Sequence, residues 1–272
     1  MKRGRRLLKA TIELALPLAE RLTGFHTAPG GYLPHRLQML TGTYEAEETR
    51  LMRRFLKPGQ TIVDVGANVG YLTRIFARAT GTLGRVLAFE PNPFIFPLLA
   101  GNVAKLKQVD VFNRGLSSEA GSFPLYLAGR NHSVASFAKD YPAKYLAFHG
   151  NAEVESVQAK VTTGDESLIR EEIEHVDLIK IDVEGWEIDV LNGLERTIRS
   201  SRNMMIFCEY NPSAQECAGR TRNELPVWLL DRQFMLSYPN NGKLCPLSRD
   251  SLPQLREALG PRGYTTIFAK RA

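Results

Sequence analysis

Between Thr61 and Gly81 the chain reads TIVDVGANVGYLTRIFARATG, an apolar run broken by glycine and followed at once by helical periodicity. A buried strand that turns through glycine into a helix predicts the first unit of a parallel sheet, because parallel strands need crossover connections that are usually helices. The first N–H groups of the helix lack partners within it and aim at whatever lies above the turn. Gly66 lets the main chain take a conformation that a Cβ would oppose, and lets a ligand approach it. The spacing departs from the dinucleotide fingerprint G-x-G-x-x-G, since Asn68 stands two after Gly66, and no Walker lysine follows. The turn alone suits any nucleotide.

The alternation continues along the chain. GRVLAFEP (84–91) is predicted as a second strand, 93 to about 106 as a helix with Pro93 near its first turn, and VDVFNRGL (109–116) as a third strand. VDLIKIDVE (176–184) and MMIFCEY (204–210) follow as strands, with a helix between them from about Trp186. RNELPVWLLDR reads as a helix, and FMLSYP with YTTIFAKR as a closing strand pair. Near-continuous apolar strands imply a parallel sheet covered on both faces, which binds ligands outside the carboxyl ends of its strands. The predicted fold class is α/β, Rossmann-like, with helices on both faces of the sheet and an N-terminal helical extension. The expected organisation is a cap over 1–58 and one domain over 59–272. Residues 20–58 and 117–165 break the alternation and are placed to sit over the carboxyl edge. The second stretch holds an alternating SFPLYLA, a polar GRNHSVASF and a strand-like VESVQAKVT.

Composition limits the partners. Of a net charge of +6, Lys2, Arg3, Arg5, Arg6 and Lys9 supply five, leaving about one for the rest of the chain. A basic groove along the body is therefore not implied, and no nucleic-acid partner is expected. Those residues lead into LLKATIELALPLAERLTG, with Leu8, Ile12, Ala15, Leu16 and Ala19 roughly on one helical face. Glu13, Pro17 and Glu20 interrupt it, so the segment is too broken to span a membrane. Two readings stay open: a helix packed on the domain, or a peripheral contact of the basic N-terminus with anionic lipid. The expected location is cytoplasmic, with the second reading placing the chain at the inner face of the membrane. Cys208, Cys217 and Cys245 form no C-x-x-C pair, and the five histidines are scattered, so reduced thiols and no metal site are expected.

The second strand narrows the ligand. It ends in FEPNP, which puts Glu90 at the carboxyl edge beside the glycine turn, where an acid can accept both ribose hydroxyls. The incomplete glycine fingerprint disfavours a pyrophosphate, and S-adenosylmethionine is the common nucleoside without phosphates. Asp64, one pleat before the turn, could steer its cationic methionyl end directly or through water. VDVGANVGYLT, AFEPNP, NRGLSSEAG and DLIKIDVEGWEIDVLNGL together resemble the FkbM family of S-adenosylmethionine-dependent methyltransferases. The resemblance covers about Thr61 to Pro212 and implies the seven-stranded class I methyltransferase fold. It also implies that Asp64, Gly66, Asn68 and Gly70 line the methionine side, that Glu90 holds the ribose, and that the Asn113 region lies near the adenine. Ser118 departs from the acid the family often carries there.

KIDVEGWE sets Lys180, Asp182, Glu184 and Glu187 where the fourth strand becomes a helix, facing the cofactor's methyl group. An alcohol is a poor nucleophile until its proton is removed, and a positioned carboxylate can take it. The Asn-Pro-Pro-aromatic sequence of many amine methyltransferases is absent, and EYNP (209–212), after the fifth strand, is no substitute. Asp182 and Glu184 are the candidate catalytic acids, with His132 a further candidate base. Glu184 and Glu187 have the alternative role of first-turn acids on the helix dipole. The expected activity is O-methylation of a hydroxyl on a sugar, glycolipid or secondary metabolite. The rivals are an RNA methyltransferase or RNA-binding protein and a nicotinamide-dependent oxidoreductase. Oligomeric state is not readable.

Overall fold

The computed structural model describes residues 2–129, 131–149, 153–201, 203–260 and 263–271, with the side chains of 2–10, 131–133 and 148–149 outside that description. Its strands are β1 (Thr61–Val65), β2 (Arg85–Phe89), β3 (Val109–Phe112), β4 (Gly115–Leu116), β5 (Gly121–Ala128) and β6 (Asn131–Ser136). They continue with β7 (Val154–Thr162), β8 (Leu178–Ile181), β9 (Met205–Tyr210), β10 (Phe234–Asn240), β11 (Lys243–Leu247) and β12 (Thr265–Arg271). The helices that bear on the site are α1 (Lys2–Thr23), α2 (Leu33–Thr41), α3 (Ala46–Met52), α4 (Tyr71–Thr80), α5 (Phe96–Val103) and α6 (Asp140–His149). After them come α7 (Gly164–Arg170), α8 (Glu187–Gly193), α9 (Glu195–Ser200), α10 (Pro212–Cys217), α11 (Glu224–Asp231) and α12 (Leu252–Leu259).

The main sheet runs β11-β10-β12-β9-β8-β1-β2-β3. Its core is parallel, and β12 lies antiparallel between β9 and β10. Alternate side chains of the central strands go to opposite faces. Val63, Val65, Ile179 and Ile181 meet α8 and α11, while Ile62, Val86 and Phe207 meet Phe76 and Leu72 of α4. Both faces are dry, which is why these strands read as continuous apolar runs. The chain winds one way from β1 to β3 and the other way from β8 onward. The carboxyl ends of β1 and β8 therefore flank the crevice where such sheets take ligands.

Three expectations need correction. The sheet has eight strands rather than seven, because β11 adds an antiparallel edge beyond β10. The predicted strand 109–116 is two: β3 joins the main sheet, whereas β4 pairs with β7 in a second sheet ordered β4-β7-β5-β6. The break falls where Arg114 N–H returns to the Phe112 carbonyl and the Asn113 amide donates to the Glu90 carbonyl at 2.9 Å. Finally, the polar GRNHSVASF stretch contains β6, which pairs with β5 as a hairpin arm. The helix expected from Pro93 begins at Phe96, with Pro97 in its first turn. In α1, Leu16 is buried, with Ile12 and Ala19 partly so, but Ala15 is exposed.

Candidate functional site

The crevice is a cleft of about 570 Å³ formed by four parts of the chain. Its floor is the turn after β1 and the end of β8. One wall comes from α2 and the loop before α3, through Tyr32, His35, Arg36, Met39, Tyr44 and Glu45. The second sheet and α6 supply Leu125, Ser136, Phe137, Tyr141 and Lys144, and the end of β9 adds Glu209 and Asn211.

Gly66 sits at φ +75°, and a Cβ there would lie 1.9 Å from the Asp182 carbonyl oxygen. The close approach expected of a ligand is thus made, within the protein, by the end of β8. Gly66 and Ala67 both donate their N–H groups to the Phe89 carbonyl, which locks the turn to β2. Asn68, at φ +50°, donates its N–H to Glu90 Oε2 at 2.9 Å, and Asn92 N–H meets Glu90 Oε1 at 2.8 Å. Glu90 is only 6% exposed and faces the cleft. Burial pushes its carboxyl up to about 7 against the lowering effect of those N–H groups. Asn102 fastens the turn from behind, donating to the carbonyls of Val69 and His26.

Three expected cofactor residues take other positions. Asp64 is fully buried and absent from the cleft lining, where it accepts from Thr73 Oγ1 at 2.6 Å and pairs with Lys180 Nζ at 3.4 Å. Its carboxylate is shut off from the cleft and reaches it only by way of its ion pair with Lys180, which lines the cleft. Gly70, at φ +84°, begins α4 beneath the turn and packs towards Leu99. Asn113 is exposed outside the cleft and clamps the Glu90 main chain, leaving Gly115 and Leu116 to form the wall there. Gly66, Asn68 and Glu90 line the cleft. The side chain of His132 lies outside the described residues.

Lys180 Nζ donates to the Gly66 carbonyl at 2.7 Å and stands 3.6 Å from Asp182 Oδ2. Burial opposes its charge, yet Asp182, Asp64 and Glu45 outweigh that and hold its pKa above the usual lysine value. Asp182 and Glu184 both line the cleft. Glu184 sits at φ +54°, its carbonyl accepts from Ser136 Oγ at 2.7 Å, and its carboxyl takes the Tyr141 hydroxyl. Burial, then the charge of Asp182, raises Glu184 to about 8. Glu187 is different. Fully buried, it accepts from the N–H groups of Val183 and Gly185 and from the Gln215 amide, so it holds the loop that presents Asp182 and Glu184.

Sequence reasoning missed two acids here. Glu45, at φ +46°, is raised to about 7 by burial and then by Asp182, and Glu209 is raised well above the carboxylate range by burial and then by Glu184. Asp182, Glu184 and Glu209 bring carboxylate oxygens within 4.8 Å of one another, a spacing able to hold a divalent ion. Glu184 Oε2 and Glu209 Oε2 are buried without a hydrogen-bond partner among the described residues. The signal for Glu209 and Asn211 was EYNP at the end of an apolar strand. Nothing local marked Glu45.

A doubly wound sheet with a glycine turn after its first strand, an acid closing its second and acids closing its fourth defines a Rossmann-like methyltransferase fold. Sequence comparison agrees: residues 64–236 match the Methyltransferase FkbM domain, and the chain belongs to that family. S-adenosylmethionine is its cofactor. The chain is 30% identical over 156 residues to Methyltransferase sdnD of Sordaria araneosa, covering 49% of this chain and 60% of that one. It is 28% identical over 169 residues to Hexuronic acid methyltransferase AglP of Haloferax volcanii, covering 61% and 62%. With 2-O-methyltransferase NoeI of Sinorhizobium fredii it shares 25% over 167 residues, covering 57% and 65%. The matches thus span about three fifths of these relatives' length.

Proposed function

We propose that the protein methylates a hydroxyl oxygen of a sugar, glycolipid or secondary metabolite. The observation that carries this is the set of carboxylates at the ends of β8 and β9, in the same cleft as Glu90 and the glycine turn. The cleft fits the cofactor's chemistry, because a sulfonium and an ammonium favour nearby carboxylates: Glu45, Asp182, Glu184 and Glu209 all line it, and an entering cation favours the ionised form of those that burial holds protonated. Glu90 would hold the ribose hydroxyls, and the main chain of 66–69 the methionyl side. When bound, the cofactor supplies an activated methyl group.

Asp182 removes the acceptor proton. Lys180, anchored on the Gly66 carbonyl, fixes its position. Tyr141 orients Glu184 and is itself held by the Asn211 amide at 3.1 Å. The 2-O-methyltransferase supports an oxygen acceptor by name, and the hexuronic acid methyltransferase supports a sugar-derived one. An RNA acceptor is disfavoured by the near-neutral body of the chain. The remaining part of the proposal is a cytoplasmic enzyme whose basic N-terminus touches anionic lipid. None of the described helices is long and apolar enough to cross a membrane.

The test is transfer of labelled methyl to a panel of hydroxylated sugars and lipids, with and without EDTA. Transfer to oxygen that survives chelation is expected. Loss on chelation with recovery in Mg²⁺ would assign the three clustered carboxylates to an ion instead. Calorimetry with S-adenosylhomocysteine checks the cofactor assignment: Glu90→Gln should weaken binding ten- to a hundredfold, since charge-assisted bonds contribute roughly 1.5–3 kcal/mol. Stronger thermal stabilisation by NAD than by S-adenosylhomocysteine would favour the oxidoreductase rival.

A further inference from the structure

Leu14, Leu18 and Leu22 recur every fourth residue on α1 and are 82%, 62% and 80% exposed. Residues four apart lie on one helical face, so these three form a single apolar stripe. It is distinct from the face carrying Leu16, which is buried, and Glu20, which receives Thr27 Oγ1 and pairs with Arg36 at 3.4 Å. The helix is therefore anchored on one side and bare on the other. Isolated exposed leucines need no explanation, but three aligned on one helix leave an apolar surface without a partner.

We propose that this stripe docks on an anionic lipid bilayer, lying in the plane of its surface. The occupant is chosen by charge. The same helix begins with Lys2, Arg3, Arg5, Arg6 and Lys9, five cations with no acid among the first nine residues. A basic segment beside an apolar face binds acidic headgroups while the face enters the acyl boundary. Pro17 and the charged residues spread along the helix, Glu13, Glu20 and Arg21 among them, keep it at the surface. Arg36, which pairs with Glu20 of α1, also lines the cleft beside Tyr32 and Met39. Docking therefore fixes one wall of the cleft at the bilayer. This rests on the proposed activity in one respect only, that the acceptor hydroxyl is then carried by a membrane-borne molecule.

Co-sedimentation of the full chain with vesicles decides it, using phosphatidylcholine alone and phosphatidylcholine with phosphatidylglycerol. Binding to the anionic vesicles only, weakening with salt, is expected. A Leu14→Ser, Leu18→Ser, Leu22→Ser triple variant should lose at least tenfold in partitioning. Reversing Lys2 and Arg3 to Glu should also lower it, by about fivefold or more for each charge removed. These leucines are exposed, so the triple variant should melt as the wild type does, and a matching melting curve shows the loss is not unfolding. Equal partitioning of wild type and triple variant overturns the proposal, as does a wild-type dimer in sedimentation that the triple variant abolishes. Neither readout uses turnover. Failure of methyl transfer to every sugar and lipid of the acceptor panel would count against the activity and leave docking standing.

Discussion

Glu45, Asn68 and Glu184 all adopt left-handed backbone conformations, at φ +46°, +50° and +54°, and all three line one cleft. Such conformations cost on the order of 1–3 kcal/mol each and persist where the surrounding structure imposes them. At Glu184 the Ser136 hydroxyl and the Glu187-held loop impose it. With its pKa at about 8, Glu184 is protonated at neutral pH beside Asp182, so Gln is a close mimic. Glu184→Gln should therefore leave kcat at pH 7 close to wild type and remove the change in rate near pH 8. Asp182→Asn should keep cofactor affinity while lowering kcat about 10²–10⁴-fold, the usual loss when a general base is removed. Near-wild-type kcat in Asp182→Asn, with the loss appearing in Glu184→Gln, would move proton removal to Glu184. Asp182 and Glu90 were legible because each ends a strong apolar strand. Asp64 was assigned to the ligand because spacing cannot tell a lining side chain from one buried a pleat below, under Lys180.

The elements read most clearly were β1, β2, β8 and β9, since strands buried on both faces leave unbroken apolar runs. The split between β3 and β4 was hidden because both halves are strand-like, and the cause is a tertiary bond from Asn113 to the β2 loop. β6 was hidden by its polar composition. The glycine turn shows how a correct motif can be given an incomplete reason. At Gly66 the nearest obstacle is the Asp182 carbonyl, so the residue first serves the contact between the end of β8 and the turn. Gly66→Ala should then destabilise the fold by roughly 2–5 kcal/mol, combining left-handed strain with overpacking. Gly101, within α5 and with nothing near its Cβ position, is the control. Gly101→Ala should stabilise by about 0.5–1 kcal/mol. Denaturant midpoints at constant m measure both. If Gly66→Ala kept the wild-type midpoint and lost only cofactor binding, ligand approach alone would explain the glycine.

At the scale of the molecule, strand alternation made the doubly wound class legible. The composition of the cleft was not, because its acids come from the loop before α3, the end of β8 and the end of β9, far apart in sequence. Their assembly has a consequence for stability. Burial, the largest cause in each case, raises Glu45, Glu90 and Glu187 to about 7, Glu184 to about 8, and Glu209 well above the ordinary value. The ordinary value is 4.5. Between that value and the raised ones, the folded chain binds more protons than the unfolded chain, so unfolding free energy falls as pH rises. Each group contributes a slope of up to about 1.4 kcal/mol per pH unit within its window. His35, lowered by burial, acts in the opposite sense below its ordinary value of 6.5 and is outnumbered. Glu20 and Glu216, both lowered, have their full stabilising effect in place once the pH is above 4.5 and leave the window unchanged. The ligand-free protein should therefore be most stable near pH 5 and weaken steadily to pH 8. Glu209→Gln should reduce the slope and stabilise the protein at pH 8, because it removes a carboxyl whose charge burial strongly disfavours. Urea denaturation at unit steps from pH 5 to 8, on wild type and this variant, measures both effects. Stability that is level or rising across that range would mean that the cleft's carboxyls ionise as freely in the folded chain as in the unfolded one.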